Sequence, residues 1–466
     1  MYGTFQVRLN VSDAVMAYLV HQCQHSNSLI NSTLFEVRQA HFESCPRAEF
    51  FDASGMYRSE FKTKTVKAPY AHLCIVMKDN LHYKVLGGQC AQQTLKRVSE
   101  SFTSFNKLLP MFFNGEVSKP RMPNYRTKGG LAPISFPAQA LQFNIETGDC
   151  RIPISQENAA SVKELFGLTE LWINGAFGVR SDQIVELHIL PRNNEFYAEY
   201  VYKHGNDGAT CHLGLDPTHA LGIDPGLNNW LTCVSTRGRS FIVDGRKLKS
   251  INQNYNRRVA TLKVGKPANY WDFELARITE KRNRQVRDAI NKAARLVINH
   301  CLQHRIGHIV FGWNEGNKDG INIGTKNNQE FVQIPTARLK NRIKQLCEEN
   351  GIQFTQTEES YTSIASFVDD DFLPTYGSEK PASWKPSGRR ITRGQYKTAF
   401  GVLINADCNA AANILKKVSA QLGITLVESV RAALTLPKRY DVFKGLKKSY
   451  RKRCEGVLLA PVSTSA

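Results

Sequence analysis

The sequence predicts two successive folds: a small β-rich domain with a helical insertion, and then an α/β domain. Before about residue 215, segments 184–190 and 196–202 alternate apolar and polar residues around a turn at 191–194, which predicts a hairpin. From residue 219 onward the order is hairpin, long helix, strand, helix, strand and terminal helix. That order is typical of a sheet whose strand tips and helix N-termini meet at one crevice.

The charge, hydrophobicity and cysteine content of the sequence limit the classes of protein to which the chain can belong. The 466 residues carry a net charge of +20, which indicates a polyanionic partner, most simply nucleic acid. No apolar run reaches about 18 residues, so we expect no membrane span. Eleven cysteines without a CxxC pair predict reduced thiols in a cytoplasmic protein, not a disulfide framework or a zinc ribbon.

The N-terminal half begins with a predicted strand at 4–9, and helical spacing follows from Val11 and again over 89–109, with polar loops around 50–67. The apolar stripe of the second helix is predicted to be core, and consists of Leu95, Val98, Phe102, Phe105 and Leu109.

A basic loop rich in proline and glycine spans residues 119–130. Tyr125 lies there among cations that include Arg126 and Lys128. An aromatic ring among cations can stack on a base while the cations hold phosphate, so we expect this loop to contact nucleic acid. A solvated linker is the alternative.

A carboxylate ends the first strand of the second domain. The apolar run 220–223 stops at Asp224, and Pro225 and Gly226 break the strand. Mg²⁺ takes hard oxygen ligands together with phosphate, so a strand-tip aspartate in a basic protein points to metal-dependent nuclease chemistry. An ordinary Asp-Pro-Gly turn is the alternative.

Two basic segments come next. Residues 245–259 include Lys249 and Arg257, contain no acidic residue and have Tyr255 interleaved. A helix predicted over about 271–304 carries Arg282 among charges of almost one sign. Such a run favours a phosphate-facing surface over a merely solvated one.

Acidic residues recur where later elements end or begin. Glu358 and Glu359 follow a strand predicted at 352–357, and Asp407 begins a helix, where an N-cap is the simpler role. Because strand tips and a helix N-terminus can share one crevice, these carboxylates could join Asp224 and hold two Mg²⁺ ions for attack of water on a phosphodiester.

Six motifs occur in a characteristic order: GIDPGLNNW, KLKSINQNYN, NNQEFVQIP, ESYTSIASFVDDD, SGRRITRG and NADCNAAANILKK. In these the chain resembles the transposon-encoded TnpB proteins (insertion-sequence OrfB transposase-like), RNA-guided DNA nucleases related to compact type V CRISPR effectors. The resemblance covers about 219–418. It implies an α/β fold plus a β-barrel, with an RNase H-like RuvC nuclease domain following a wedge β-barrel that holds a helical recognition insertion. It also implies guide RNA, target double-stranded DNA and Mg²⁺ as partners and cofactor.

On this resemblance we expect a wedge-like barrel from 1–10 and 116–218 and a helical recognition insertion at 11–115. The RuvC-like domain is expected at 219–420, and residues 421–466 are expected to be a basic tail.

The resemblance assigns Asp224 as the first catalytic aspartate and Asp407 as the last. Gly312 stands where the family has its middle glutamate. We expect the replacement to be Glu359, with Glu358 and then Glu315 as alternatives, because a neighbouring strand's tip is only about 5 Å away. If none of them serves, the nuclease is crippled.

The family's zinc ribbon is a second departure, since residues 364–400 contain no cysteine. This segment is rich in Pro, Gly and Arg, which predicts an irregular structure. We expect this insertion to bind the target strand without zinc, through Arg389, Arg390 and Arg393. There is no HNH-type motif, so one RuvC site would cut both strands next to a short flanking motif. A guided DNA-binding repressor and a strand-joining transposase remain open alternatives.

Overall fold

The computed structural model divides the chain into two compact units, residues 1–206 and 207–466. It describes residues 2–45, 47–51, 53–61, 65–144, 146–176, 179–203, 214–314, 334–375, 384–422, 430 and 433–444. None of the helices within these ranges is long and apolar enough to cross a membrane.

The first unit has five α-helices among its described residues: α1 (Asp13–Ser44), α2 (Tyr70–Val76), α3 (Leu81–Leu86), α4 (Gly88–Phe113) and α5 (Ala159–Phe166). The Ser12 hydroxyl caps α1 by accepting from the Val15 amide at 3.4 Å. The apolar stripe predicted for α4 is buried, as expected from its spacing.

The strands of the first unit form antiparallel sheets. They are β1 (Tyr2–Arg8), β2 (Arg47–Phe51), β3 (Tyr57–Phe61), β4 (Ile134–Pro137), β5 (Gln142–Phe143), β6 (Cys150–Ile152), β7 (Leu171–Ile173), β8 (Ile184–Arg192) and β9 (Glu195–Lys203). The sheet orders are β1-β9-β8-β4, β5-β6-β7 and β2-β3, and no sheet of the described ranges closes into a barrel.

Two local features of these strands bear on the predictions. The hairpin predicted around 191–194 is present, and Asn193 and Asn194 turn it with φ of 48° and 62°, as a type I′ turn requires. The segment 50–67, predicted as loop, instead contains part of the β2–β3 hairpin. Its many polar side chains masked the strand pattern.

A mixed α/β fold forms the second unit. Its strands are β10 (Asp216–Pro225), β11 (Asn229–Ser235), β12 (Arg239–Asp244), β13 (Ile306–Gly312), β14 (Gln353–Thr357), β15 (Arg389–Thr392), β16 (Gln395–Lys397), β17 (Leu403–Asn405) and β18 (Lys438–Tyr440). The central sheet has the order β14-β13-β10-β11-β12-β18, and β15, β16 and β17 form a small separate sheet. Strands β10, β13 and β14 run parallel to one another, whereas β10, β11 and β12 form an antiparallel meander.

The described part of this unit contains the helices α6 (Arg246–Leu262), α7 (Phe273–Gln303), α8 (Thr336–Asn350) and α9 (Ala406–Leu422). Alternate side chains of the sheet face opposite layers. Ile223 and Phe311 pack with α7 and α8, whereas Ala220 and Val310 pack with α9. The basic segment 245–259 is largely helix α6, which the pattern did not predict because it buries little besides Leu248 and Asn252.

Gly222 sets how closely β10 approaches α9. A Cβ added there would lie 2.5 Å from the Ala411 carbonyl oxygen and 2.6 Å from Leu415 Cγ. Because a helix carbonyl cannot move aside cheaply, we expect Gly222→Ala to destabilise the protein by about 3 kcal/mol in chemical denaturation. The control is Gly88→Ala, where an added Cβ meets nothing within 4 Å. Equal stability of the two variants would contradict this packing.

Candidate active site

The carboxyl ends of three parallel strands meet at one edge of the sheet. Ile223 of β10 pairs with Phe311 of β13, and Gly312 of β13 pairs with Thr357 of β14. Asp224 and Gly312 therefore each lie one residue beyond the Ile223–Phe311 pair, and Glu359 follows β14 two residues after Thr357. The register brings Asp224, Gly312 and Glu359 to the same edge of the sheet.

Glu359 lies over Gly312. A Cβ at residue 312 would be 3.0 Å from Glu359 Cγ and 3.2 Å from Glu359 Oε1. The turn is fixed by the Glu359 amide, which donates to Asn314 Oδ1 at 2.8 Å, and by Thr362 Oγ1, which donates to the Glu359 carbonyl at 2.8 Å. The absent side chain at 312 thus leaves the space that the Glu359 side chain occupies.

The alternative glutamates are placed differently. Glu358 accepts hydrogen bonds from Lys417 of α9 and from the Ser360 amide. Burial alone would raise the pKa of Glu358, but the Lys417 ammonium and the Ser360 amide bring it below its usual value. Glu358 is therefore a structural ion-pair partner in this arrangement. Glu315 lies outside the described residues.

Asp407 does not cap its helix. The side chain of Asn405 does so instead, since its Oδ1 accepts from the amides of Asp407 at 3.1 Å and Cys408 at 3.0 Å. The Asp407 carboxylate accepts from Asn229 Nδ2 at 2.6 Å and from Arg390 Nη2 at 2.7 Å. Asp407 is therefore not the N-cap of its helix, and its carboxylate instead accepts hydrogen bonds from Asn229 and Arg390.

The carboxylates influence one another electrostatically. The pKa of Asp224 is raised well above its usual value, first by burial and then by the charges of Glu359 and Asp407, with Arg390 opposing. The pKa of Glu359 is raised to about 7, first by burial and then by Glu358. Among the described residues, no lysine or arginine forms an ion pair with Asp224 or Glu359. The cluster is thus short of positive charge.

The donor set suits a hard divalent cation, because it consists of carboxylate oxygens and because a bound cation would favour the ionised forms of Asp224 and Glu359, whose pKa values are raised without one. Within the described ranges, however, no three acidic, histidine or cysteine side chains are already arranged around a common metal position. Asp407, which is paired with Arg390, would have to exchange that partner to join Asp224 and Glu359.

A cleft of about 370 Å³ opens beside these groups. Asp224 and Asp407 line it, whereas Glu359 does not. Its cationic lining consists of Arg246, Arg390, Arg393 and Arg439. Anionic ligands are favoured on the arginine side and cations on the aspartate side.

Three residues of this region were missed in the sequence: Asn229, Lys417 and Arg439. Asn229 sits within the GIDPGLNNW motif, so its position near Asp224 offered a signal. Lys417 likewise ends the NADCNAAANILKK motif, although its ion pair with Glu358 forms only through the fold. No local pattern marked Arg439, because its partner Asn229 is distant in the chain.

The predicted arginine insertion contains more order than expected. Residues 364–400 were predicted to be irregular, yet Arg389 and Arg390 lie in the β15–β16 hairpin. Buried Tyr396 anchors that hairpin by donating to the Ile364 carbonyl at 2.9 Å. Arg389 is exposed, whereas Arg390 bonds to the Arg393 carbonyl and to Asp407.

Some of the residues on α6 and α7 that were predicted to bind nucleic acid instead contact other side chains of the protein. Arg282 lies over the Tyr255 ring at 5.5 Å and donates to Asn252 Oδ1 at 2.9 Å. Arg257 is exposed, and Lys249 is half-buried. A groove beside these residues is rich in cations, so the surface remains compatible with phosphate binding.

In the first unit, the loop containing Tyr125 is tied to α1. The Arg38 guanidinium lies 5.2 Å from the Tyr125 ring centre, and Arg126 Nε donates to Asn27 Oδ1 at 2.9 Å. Lys128 is exposed. Arg126 therefore holds the loop in place, while Tyr125 and Lys128 face outward enough to be reached by a ligand.

Residues 202–317 match the family model OrfB of IS605, which is described as a probable transposase. The predicted family resemblance is confirmed over this segment. It includes Asp224 and Asn229 but ends before Glu359 and Asp407. No curated protein matches the chain.

Among the solved structures that match the chain, three have low TM-scores. A Cas12f1-sgRNA-target DNA complex has 15% identity and a TM-score of 0.31, and the match covers 89% of this chain and 98% of that one. A CRISPR-Cas12f ternary complex has 15% identity and a TM-score of 0.30, with 86% and 80% covered, and CasPhi-2 (Cas12j) bound to crRNA has 9% identity and a TM-score of 0.36, with 92% and 99% covered. At such scores the fold and the site rest on the topology and contacts described above.

The raised pKa of Glu359 predicts how stability depends on pH in the presence of a chelator. The folded state keeps its proton up to about pH 7, whereas the unfolded chain loses it near the usual value of 4.5, so stability falls as pH rises through this window. We expect Glu359→Gln to remove part of that fall and to melt about 2–5 °C higher than wild type at pH 8.

Glu358→Gln is the matched control, because it breaks the ion pair with Lys417 and should lower the melting temperature instead. Parallel pH profiles for wild type and Glu359→Gln would show that Glu359 is not held in a charge-poor environment.

Proposed function

We propose that the protein is an RNA-guided, Mg²⁺-dependent DNA endonuclease with a single RuvC-like site. The observation that carries the proposal is the position of Glu359, which fills the space above Gly312 and raises the pKa of Asp224. A carboxylate relocated to the neighbouring strand would complete the set formed with Asp224 and Asp407. The ordered motifs, the family match over 202–317 and the net charge of +20 support the same function.

Asp224, Glu359 and Asp407 would hold the metal. Bound there, Mg²⁺ would supply an activated water and would offset the charge that develops on the phosphodiester. The protein's own groups prepare this chemistry. Burial keeps Asp224 and Glu359 poorly solvated, so they gain most from a bound cation. The arginines of the cleft can hold the nucleic-acid backbone.

Guide RNA would select the target by base pairing, while the protein would read a short flanking motif and hold the strands through cationic surfaces. In this proposal the first unit contains the wedge-like region and the helical recognition insertion, and the second is the nuclease domain. The arginine hairpin β15–β16 would contact the strand to be cut, in place of a zinc ribbon. One site would cut both strands in turn, in the cytoplasm.

Two observations favour other functions. The Arg390–Asp407 ion pair, at 2.7 Å, occupies a proposed metal ligand and would suit a guided DNA-binding repressor that does not cut. The description of the matching family as a probable transposase favours strand joining. Sequencing of RNA that co-purifies with the protein, together with analysis of DNA ends for hydrolysis or joining, separates the three.

The carboxylates give the sharpest test. With guide RNA, Mg²⁺ and a plasmid target, Asp224→Asn and Glu359→Gln should each reduce cleavage at least about 100-fold, because a metal ligand is lost. Guided binding of the target should be retained. Glu358→Gln and Glu315→Gln should keep most cleavage. Normal cutting by Glu359→Gln would remove Glu359 from the site, and equal loss of binding would make the residue structural.

A relocated carboxylate offers a gain-of-function control. The double variant Gly312→Glu/Glu359→Gly supplies the carboxylate from β13 and removes the Glu359 side chain, while the terminal methyl of Ile414, 2.5 Å from the added Cβ, must still rotate aside. It should recover part of the cleavage that Glu359→Gly alone loses. An absence of recovery, with the folded state intact, would count against the equivalence of the two positions.

A further inference from the structure

We propose that Asn229 and Arg439 form a positioning chain for Asp407, so that the short strand β18 near the C-terminus belongs to the catalytic apparatus. The inference rests on the proposed function for its catalytic meaning, because Asp407 is there a metal ligand. Its geometric basis is independent of that function and concerns how one carboxylate is held.

The chain consists of consecutive hydrogen bonds. Asn229 Nδ2 donates to Asp407 Oδ2 at 2.6 Å. Arg439 Nη1 donates to Asn229 Oδ1 at 2.8 Å and lies 3.3 Å from Asp244 Oδ2. The residues come from four elements, β11, β12, β18 and α9, so the chain ties the paired start of β11 and end of β12 to the helix that presents Asp407.

The hydrogen-bonding properties of Arg439 and Asp407 fix the orientation of the Asn229 side-chain amide that lies between them. A guanidinium can only donate, and an ionised carboxylate can only accept. Asn229 must therefore turn its carbonyl toward Arg439 and its amino group toward Asp407. Without Arg439, the amide could rotate and present its oxygen to Asp407, which would repel the carboxylate.

The bond from Asn229 also leaves Asp407 charged. A neutral amide orients Oδ2 without cancelling the negative charge, whereas Arg390 neutralises the group through Oδ1. If a metal ion took the place of Arg390 beside Asp407, Asn229 could keep the Asp407 carboxylate in the same orientation. This separates a permanent positioning contact from an exchangeable one.

The fold holds Arg439 firmly in place. Strand β18 pairs in parallel with β12, and Arg439 is opposite Ile242. Buried Asp244 accepts from both Arg246 and Arg439. Part of the segment predicted as a basic tail, Lys438–Tyr440, is therefore the outermost described strand of the central sheet.

The probe is Mn²⁺, whose binding to the protein without nucleic acid is measured by electron paramagnetic resonance. Asn229→Ala and Arg439→Ala should each weaken Mn²⁺ binding about tenfold, as loss of a group that orients a metal ligand does. The double variant should be no weaker than Asn229→Ala, because both act through one chain. Arg439→Lys keeps a donor and should lose less, which guards against misfolding as the explanation.

Lys438→Ala, an exposed neighbour on the same strand, should bind Mn²⁺ like wild type. Guide-loaded protein gives the second readout, in which Asn229→Ala and Arg439→Ala should both need more Mg²⁺ for half-maximal cleavage. Guided DNA binding should stay unchanged in Asn229→Ala, which removes no cationic group.

Additive losses in the double variant would overturn the chain, and so would unchanged Mn²⁺ affinity combined with weaker DNA binding, which would make Arg439 a phosphate ligand. Absence of Mn²⁺ binding by the wild type would overturn it as well. Wild type that binds Mn²⁺ but does not cut guided targets would instead refute the proposed function, and the comparison of Mn²⁺ affinities would still decide the chain.

Discussion

Repulsion among buried carboxylates at one sheet edge is the constraint on which the second unit depends. Asp224 and Glu359 are brought together by the parallel register of β10, β13 and β14, and burial raises the pKa of both. An arrangement of this kind weakens the fold unless a cation offsets it. Perturbed pKa values of this kind cluster at functional sites, and the proposed metal-binding role would account for the stability that the arrangement costs.

The rest of the unit limits this cost. Lys417 neutralises Glu358, and Arg390 neutralises Asp407, so the charges that are left uncompensated are those of Asp224 and Glu359. Small residues make the close approach possible. Gly222 allows α9 to reach the sheet, and Gly312 allows the Glu359 side chain to lie where a side chain of β13 would otherwise project. The relocation that we propose for the glutamate would thus be an exchange of positions between neighbouring strands.

Much of this arrangement follows from local sequence. The apolar run that ends in Asp224 and the strand-like segment 352–357 before Glu358 mark strand tips, and the expected α/β order of the second unit is observed. Successive side chains of a strand point to opposite faces, so two adjacent glutamates are not expected to point the same way. In the structure Glu358 accordingly pairs with Lys417, whereas Glu359 lies beside Gly312. Helix α6 and the hairpin β2–β3 escaped prediction because polar side chains hide their periodicity.

Partners that are distant in the chain could not be predicted. The contacts of Asp407 with Asn229 and Arg390 depend on the packing of α9 and on the hairpin β15–β16, and Arg439 reaches Asn229 across 210 positions of sequence. The sequence around an arginine in a basic segment does not indicate which carboxylate or amide its side chain will contact in the folded protein. The role first expected for Arg390, contact with DNA, competes here with an ion pair that only the fold creates.

The most direct test of the proposed metal site is the position of Mn²⁺ in crystals of the protein, located by anomalous scattering. We expect a peak coordinated by Asp224, Glu359 and Asp407, with Arg390 displaced from Asp407 and Glu358 still bound to Lys417. A metal held by Glu358, or a site that leaves Glu359 uncoordinated, would contradict it.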